Sequence, residues 1–196
     1  MVLIGIDIET YSPGAPPWRN GGVDPIVCVS FAITNDIDIS SGLYVISMIQ
    51  QPEHEQYLLR QSFSLLEFLR GTRVWFYGYG KGKFDFPYTL KRAVKYGLED
   101  RLERAIESQP NLDICDLAKQ AFGIKAENSL SMRECEQALG IQRVISKSHI
   151  NGANYYYYYN LWRRNGSCEA LFYNIEDAIT TLRIFERLKR FSKRDW

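Results

Sequence analysis

Runs of apolar residues in the first 115 positions predict the strands of a sheet. Residues 2–8 form an almost continuous apolar run rich in β-branched side chains, which is typical of a buried central strand. The runs at 26–34 and 43–49 are joined by a polar stretch, a spacing that favours an antiparallel hairpin. Residues 73–79 predict a fourth strand, and residues 112–114 predict a short fifth one.

Apolar residues recur at helical spacing between and after these strands. Together with the Gly and Pro residues that flank them, they predict helices at residues 53–69, 87–96, 115–122, 129–139, 152–164 and 171–191. Ser131 and Glu134 stand at the spacing of a capping box. Because strands come first and helices last, with mixed pairing, we expect one α/β domain over residues 1–196, in which a mixed sheet of about five strands is flanked by helices.

Two acids stand at the end of the most apolar strand. Asp7 and Glu9 are two residues apart, and the two-residue period of a strand directs both side chains to one face. Paired carboxylates repel each other and are costly to desolvate. The pair therefore indicates either a site for Mg²⁺ or Mn²⁺, which prefer oxygen ligands, or a solvated strand end.

A third acid, Asp85, lies in the segment Gly-Lys-Gly-Lys-Phe-Asp-Phe-Pro, after a predicted strand and before a predicted helix. A helix N-cap is one sufficient role for it. A defined position in a binding site is the alternative, because Phe84 and Phe86 would pin the loop on both sides. Lys81 and Lys83 would then lie where they could meet phosphates.

Tyr173 and Asp177 are four residues apart on the last predicted helix and therefore share a face. Taken alone, the pair is equally well explained as a boundary acid beside a core tyrosine. The three patterns together narrow the choice, because Asp-x-Glu, Phe-Asp-x-Pro and Tyr-x-x-x-Asp follow one another along the chain. In this they resemble the DEDD exonucleases, or DnaQ-like superfamily, in the tyrosine-bearing DEDDy branch.

A closer likeness lies between the second and third patterns. Residues 111–114 and 129–141 look like the corresponding segments of the YprB-like group of ribonuclease H-like proteins. Relatives commonly have an Asn-Gly pair before Phe-x-x-Pro, whereas this chain has Gly80 and Lys81 there. The departure concerns how a terminal nucleotide is held rather than how metals are held.

The resemblance implies a ribonuclease H-like fold and a metal-dependent 3′–5′ exonuclease that releases nucleoside 5′-monophosphates. The partner would be single-stranded DNA, with RNA left open. Two Mg²⁺ or Mn²⁺ ions would be held by four acids, and a tyrosine would orient the attacking water. By the resemblance, the catalytic residues are Asp7, Glu9, Asp85, Tyr173 and Asp177, with the four acids as the metal ligands. The expected nucleic-acid contacts are Thr10, Trp18, Arg19, Lys81, Lys83 and Phe84.

Two alternatives remain beside the exonuclease. The first is a structure-selective endonuclease on the same scaffold, and the second is a nucleic-acid-binding module without activity. The net charge of +1 excludes a strongly basic protein that coats DNA. The charge is unevenly distributed, since residues 1–60 hold 2 basic and 7 acidic side chains and residues 61–196 hold 22 and 16.

The remaining features concern compartment and assembly. The four cysteines lack Cys-x-x-Cys spacing and sit among apolar neighbours, which predicts buried free thiols and a reducing, cytoplasmic location. The first residues lack a basic stretch, and no apolar run reaches 18 residues, so we expect neither a signal peptide nor a membrane span. The tyrosines at 155–159 would point around a full helical turn, which assigns some to the core and leaves others for base stacking or a homo-oligomer contact.

Overall fold

Five strands form one mixed sheet in the part of the chain that the structure describes. This computed structural model describes residues 2–14, 16–19, 22–36, 38–80, 83–145 and 149–191. The strands are β1 (Leu3–Thr10), β2 (Ile26–Thr34), β3 (Tyr44–Ile49), β4 (Thr72–Trp75) and β5 (Asn111–Asp113). Their order across the sheet is β3-β2-β1-β4-β5. β1 is antiparallel to β2 and parallel to β4, and β1 is the central strand, as its apolar run predicts.

Helices cover both faces of this sheet. They are α1 (Glu55–Phe68), α2 (Asp85–Lys95), α3 (Glu99–Glu107), α4 (Ile114–Phe122), α5 (Met132–Leu139), α6 (Tyr155–Asn165) and α7 (Glu169–Phe191). One buried core joins α1, α2 and α3 to one face, and a second joins α4, α5 and α7 to the other. A third core packs α6 between the start of α7 and β2. None of these helices combines the length and apolar character that crossing a membrane requires.

The alternation of side chains along β1 decides which residues reach α7. Ile4, Ile6 and Ile8 pack in the core shared with α1, α2 and α3. The intervening positions face the other way, so Gly5 lies directly against the backbone of α7 at Ala178. Because a strand alternates regularly, the two acids that follow Gly5 at odd positions also emerge on the α7 side.

A buried ion pair fixes α2 relative to the sheet. Arg92 donates from Nε and Nη2 to the two carboxylate oxygens of Glu55, at 2.8 and 2.5 Å. The same carboxylate accepts from the backbone N–H of Ile26 at 2.7 Å, where β2 begins. Removing either partner would leave a buried charge unpaired, so this network holds α1, α2 and β2 in one arrangement.

Most elements agree with the sequence prediction, and the hairpin of β2 and β3 is confirmed. Helix ends differ from the predicted ones by at most three residues, and Ser131 and Glu134 form the predicted capping box. The prediction for β4 was wrong at its end, because the apolar run continues into a turn over residues 76–79. Helix α3 was not predicted. Its charged sequence buries only Leu102, Ala105 and Ile106.

The cysteine prediction is confirmed for three of the four thiols. Cys28, Cys115 and Cys135 are buried and free. It is wrong for Cys168, which is free but exposed in the segment between α6 and α7. Apolar neighbours in sequence do not bury this residue, because it lies between helices rather than on the inner face of one.

We expect Gly5→Ala to destabilise the protein by about 2–3 kcal/mol, because the added methyl would overlap the carbonyl of Ala178. Urea unfolding of the metal-free protein measures this. Gly152→Ala is the control, since a Cβ at Gly152 meets nothing within 4 Å. A Gly5→Ala protein as stable as the control would contradict a close contact between β1 and α7.

Candidate metal centre

Three carboxylates meet where β1 passes α7. One carboxylate oxygen from each of Asp7, Glu9 and Asp177 lies within 4.8 Å of the other two. β1 supplies the first two and α7 supplies the third. Carboxylate oxygens are the ligands that Mg²⁺ and Mn²⁺ prefer, so these three acids could share one such ion.

These acids are held in surroundings that disfavour their charge. Burial raises the pKa of Asp7 well above its ordinary value, and the carboxylates of Asp177, Asp85 and Glu9 raise it further. Burial does the same to the pKa of Glu9, with added repulsion from Asp177 and Asp85. The pKa of Asp177 is raised by burial to about 6, although Arg143 opposes this shift. A divalent cation would relieve both the desolvation and the mutual repulsion.

Asp85 approaches the same site from α2. Of the two roles left open for Asp85, the helix N-cap does not hold, since the N-cap residue is Phe84 and Asp85 opens the first turn. Its side chain is buried, and burial followed by repulsion from Asp113 and Asp177 raises its pKa well above the ordinary value. Its carboxylate therefore belongs to the same electrostatic cluster, although it lies outside the group of three.

A turn anchored by Asp113 sets the position of Asp85. The Asp113 carboxylate accepts from the backbone N–H groups of Gly78 and Tyr79, at 2.8 and 2.9 Å. The N–H of Phe86 then donates to the Gly78 carbonyl at 2.7 Å. A Cβ at position 78 would lie 2.9 Å from Oδ2 of Asp85, so a glycine is needed for the carboxylate to fit.

Asp113 also groups with Cys115 and Asp116, close enough to suggest a second metal position. Its oxygens already accept from several backbone N–H groups, and Lys83 approaches one of them at 3.4 Å. This pairing satisfies the carboxylate without a metal. Sequence reasoning gave Asp113 no role, because the turn residues that it anchors lie 34 to 36 positions earlier in the chain.

Asn174 orients Asp7. Its Nδ2 donates to Oδ2 of Asp7 at 2.5 Å, and this hydrogen bond partly offsets the rise in the pKa of Asp7. Its Oδ1 accepts from the hydroxyl of Ser30 at 2.5 Å, and Ser30 in turn contacts Ser47 at 2.7 Å. Sequence reasoning missed this residue. The sequence carried one signal for it, since Asn174 is an amide that directly follows Tyr173 on α7 and has apolar residues on both sides.

Arg143 is the second residue that sequence reasoning missed. Its Nη1 lies 2.6 Å from Oδ1 of Asp177, and its Nη2 lies 2.7 Å from Glu136. Its guanidinium carbon is 5.4 Å from the ring centre of Tyr173. No local sequence pattern marks this residue, because it lies after α5 and reaches the site only through the tertiary fold.

Glu176 holds the segment that carries Arg143. The buried carboxylate accepts from the backbone N–H groups of Val144 and Ile145, at 3.1 and 2.5 Å. Arg183 pairs with the other oxygen at 2.8 Å. Helix α7 therefore contributes Asp177 to the site and, one residue earlier, the anchor of the arginine that pairs with it.

Tyr173 lies within the same cluster. Its side chain is buried, and its hydroxyl acts on Asp177 to oppose the rise in the pKa of that carboxyl. Burial raises its pKa well above the ordinary value, with a further rise from Asp177, so the phenol stays protonated near neutral pH. Its ring packs 6.0 Å from that of Tyr155.

The tyrosine run at 155–159 divides between core and surface, as the helical period predicts. Tyr155 and Tyr159 are fully buried, whereas Tyr157 is 55% exposed. Tyr155 supports Tyr173 through ring packing. The core assignment is thus confirmed for these two residues.

The residues expected to contact nucleic acid have different surroundings where the structure describes them. Thr10 is buried with its hydroxyl 2.9 Å from that of Ser12, and Arg19 is exposed at the end of a short 3-10 helix, Pro17–Arg19. Trp18 is the middle residue of that helix. Lys83 pairs with Asp116 at 2.7 Å, so a phosphate would compete with a carboxylate for it.

Phe84 and Lys81 are the other two expected contacts. Phe84 packs its ring 5.0 Å from that of Tyr88, on the core side of the loop. This contact pins the loop, as the flanking aromatic residues predict. Lys81 lies outside the described residues.

Comparison with known families agrees with this geometry. A sequence model of the RNase H superfamily matches residues 6–189. The matched region contains all four acids and Tyr173. Among curated proteins, no sequence matches the chain.

The raised pKa values predict that the metal-free protein loses stability as pH rises. Above about pH 4 the unfolded chain releases these protons, whereas the folded protein retains them until the pH passes the raised values. For Asp177 this loss extends to about pH 6. We therefore expect Asp7→Asn to raise the melting temperature of metal-free protein at pH 8, with a difference that narrows toward pH 4.

Differential scanning fluorimetry in EDTA measures this effect, with the exposed Glu103→Gln on α3 as the control that should change nothing. Mn²⁺ should raise the melting temperature of the wild type and of the control, and should have little effect on Asp7→Asn. A metal-free Asp7→Asn protein that melts below the wild type at pH 8 would contradict the charge repulsion described above.

Proposed function

Since the chain belongs to the RNase H superfamily, whose members are nucleic-acid hydrolases, we propose that it is a metal-dependent 3′–5′ exonuclease acting on single-stranded DNA or RNA. The observation that carries the proposal is the convergence of Asp7, Glu9 and Asp177 within 4.8 Å, with Asp85 beside them. Structural carboxylates are normally paired with cations or hydrogen-bond donors. Here repulsion and burial outweigh the compensation, which is typical of a functional site.

The four acids fit a site for divalent metal, by their oxygen ligands and by the repulsion that a cation would relieve. Asp7, Glu9 and Asp177 would hold one ion and Asp85, with Asp7, a second. Bound Mg²⁺ or Mn²⁺ would supply Lewis-acid activation of water and stabilisation of the leaving 3′ oxygen.

The chain's own groups would position the reactants. Tyr173 keeps its phenolic proton at neutral pH, so it can donate a hydrogen bond and orient a water molecule but is a poor general base. Asn174 holds the carboxylate of Asp7 by a hydrogen bond. Arg143 pairs with Asp177 and is itself held by Glu136. Precise placement of these ligands is what in-line attack on a phosphodiester demands.

Single strands suit this site better than duplexes. Asp85 and Asp177 are both buried, so a scissile phosphate must enter a recess to reach them. A flexible single strand can follow such a path, whereas a paired end must first unstack. The alternative is an endonuclease on the same scaffold, and circular single-stranded DNA separates the two because only an endonuclease cuts it.

We expect oligonucleotides labelled at the 5′ end to shorten progressively in Mg²⁺ or Mn²⁺, and 3′-labelled ones to release the label at once as a mononucleotide. Asp7→Asn and Asp177→Asn should lower the rate by at least about 10³-fold, because each removes metal ligation worth several kcal/mol. Tyr173→Phe should lower it by about 10- to 100-fold, since only water orientation is lost. Gel electrophoresis of time courses gives these rates.

The exposed Asp100→Asn, on α3, is the control and should retain wild-type activity. Absence of nucleotide release from the wild type, or full activity in Asp7→Asn, would rule out the proposed exonuclease. Cleavage of the circular substrate would favour the endonuclease instead.

Gly78→Ala tests the turn that sets Asp85. The added Cβ would lie 2.9 Å from Oδ2 of Asp85 and 2.7 Å from the Trp75 ring, so the carboxylate or the indole must shift. A displacement of this size should lower the rate by about 10²-fold. Far-ultraviolet circular dichroism should be unchanged, and Gly152→Ala should be fully active. Wild-type activity in Gly78→Ala would show that the Asp85 position is not critical.

A further inference from the structure

A cavity of about 650 Å³ adjoins the acidic site at Asp85. Aromatic and apolar side chains make up most of its exposed wall, and the polar lining residues are Lys83, Asp85 and three residues at or just before the start of α5. The lining residues that bear on its use are Phe76, Tyr77, Phe84, Asp85, Leu130 and Ser131. The volume exceeds that of one nucleotide, and the wall continues directly from a proposed metal ligand.

Tyr77 has an unusual backbone in this wall. Its φ is +61°, in the left-handed region that bulky side chains rarely adopt, and it is the one non-glycine residue with positive φ among those described. Glycine or asparagine would adopt this conformation more readily. Local folding therefore does not explain why a tyrosine occupies this position.

The backbone of Tyr77, rather than its ring, anchors the turn. Its N–H donates to Asp113 at 3.3 Å, and its carbonyl accepts from the N–H of Phe84 at 2.8 Å. Both hydrogen bonds would form equally well with another side chain at this position. The turn alone therefore does not explain the choice of an aromatic residue.

The ring is also not held by the core. It is 42% exposed while it lines the cavity. The ammonium group of Lys83 lies 5.0 Å from its centre, which limits the directions the ring can take. An exposed, oriented aromatic ring beside a catalytic acid is suited to stacking on a planar group.

We propose that Tyr77 is a substrate-positioning residue that stacks on one nucleobase of the bound single strand, with that base lodged in the cavity beside Asp85. The inference rests on the proposed function, because it assumes that a phosphodiester is bound at the acids. The base next to the scissile phosphate can reach the cavity because Asp85 belongs to both. Stacking is tolerant of base identity, so the site would hold the strand without selecting its sequence.

The test compares Tyr77→Asn, which suits positive φ but lacks the ring, with Tyr77→Phe, which keeps the ring. Binding of 5′-fluorescein single strands is measured by anisotropy in Ca²⁺. Each strand carries one abasic residue at the first, second or third position from the 3′ end, or none. Tyr57→Asn is the control, because Tyr57 is 57% exposed on α1 and lines no part of this cavity.

We expect Tyr77→Asn to weaken binding of the intact strand about tenfold, and Tyr77→Phe and Tyr57→Asn to bind as the wild type does. One abasic position should weaken wild-type binding by a similar factor and have no further effect in Tyr77→Asn. Thermal melting should show Tyr77→Asn at least as stable as the wild type, so a loss of binding cannot come from unfolding.

Other outcomes overturn the inference. If Tyr77→Asn binds the intact strand as the wild type does, Tyr77 does not stack on a base. The same conclusion follows if the substitution weakens binding of all three abasic strands by the same factor. If either of these binding results is found and the wild type still hydrolyses oligonucleotides in Mg²⁺, the exonuclease proposal stands and only the stacking role fails. If the wild type neither binds nor hydrolyses any strand, both proposals fail together.

Discussion

The close approach of α7 to β1 is the contact on which the acidic site depends. Gly5 has no side chain, and the backbone of α7 at Ala178 fills the space where a Cβ would be. This places Asp177, one residue before Ala178, opposite the two acids that follow Gly5 along the strand. A larger residue at position 5 would lift the helix and open the distance between oxygens that strand and helix contribute separately.

The same contact creates a charge problem that the surrounding fold only partly offsets. Hydrogen bonding from Asn174 and pairing with Arg143 favour the ionised forms of Asp7 and Asp177, yet the pKa values of both stay raised. Folding stability would improve if these acids were neutral or apolar. The protein retains a cluster that opposes its own stability, which is the physical argument for a function at this place rather than a structural role.

Sequence patterns predicted the features that depend on local periods. The shared face of Asp7 and Glu9 follows from the two-residue period of β1, and the pairing of Tyr173 with Asp177 follows from the helical period. Residues that reach the site from a distance carried no such signal. Arg143 lies 34 positions before its partner in a segment without regular structure, so only the tertiary fold brings the two together.

The turn before Asp85 is held by a residue that comparison of motifs does not reveal. The Asn-Gly pair expected there is replaced by Gly80 and Lys81, which suggests a weaker constraint on this loop. The constraint is instead supplied from β5, where one carboxylate, Asp113, accepts the N–H groups of residues 77–79. An anchor outside the loop leaves the side chains within it free to serve other contacts. Tyr77 can therefore combine a backbone of positive φ with an exposed ring, without loosening the loop that positions Asp85.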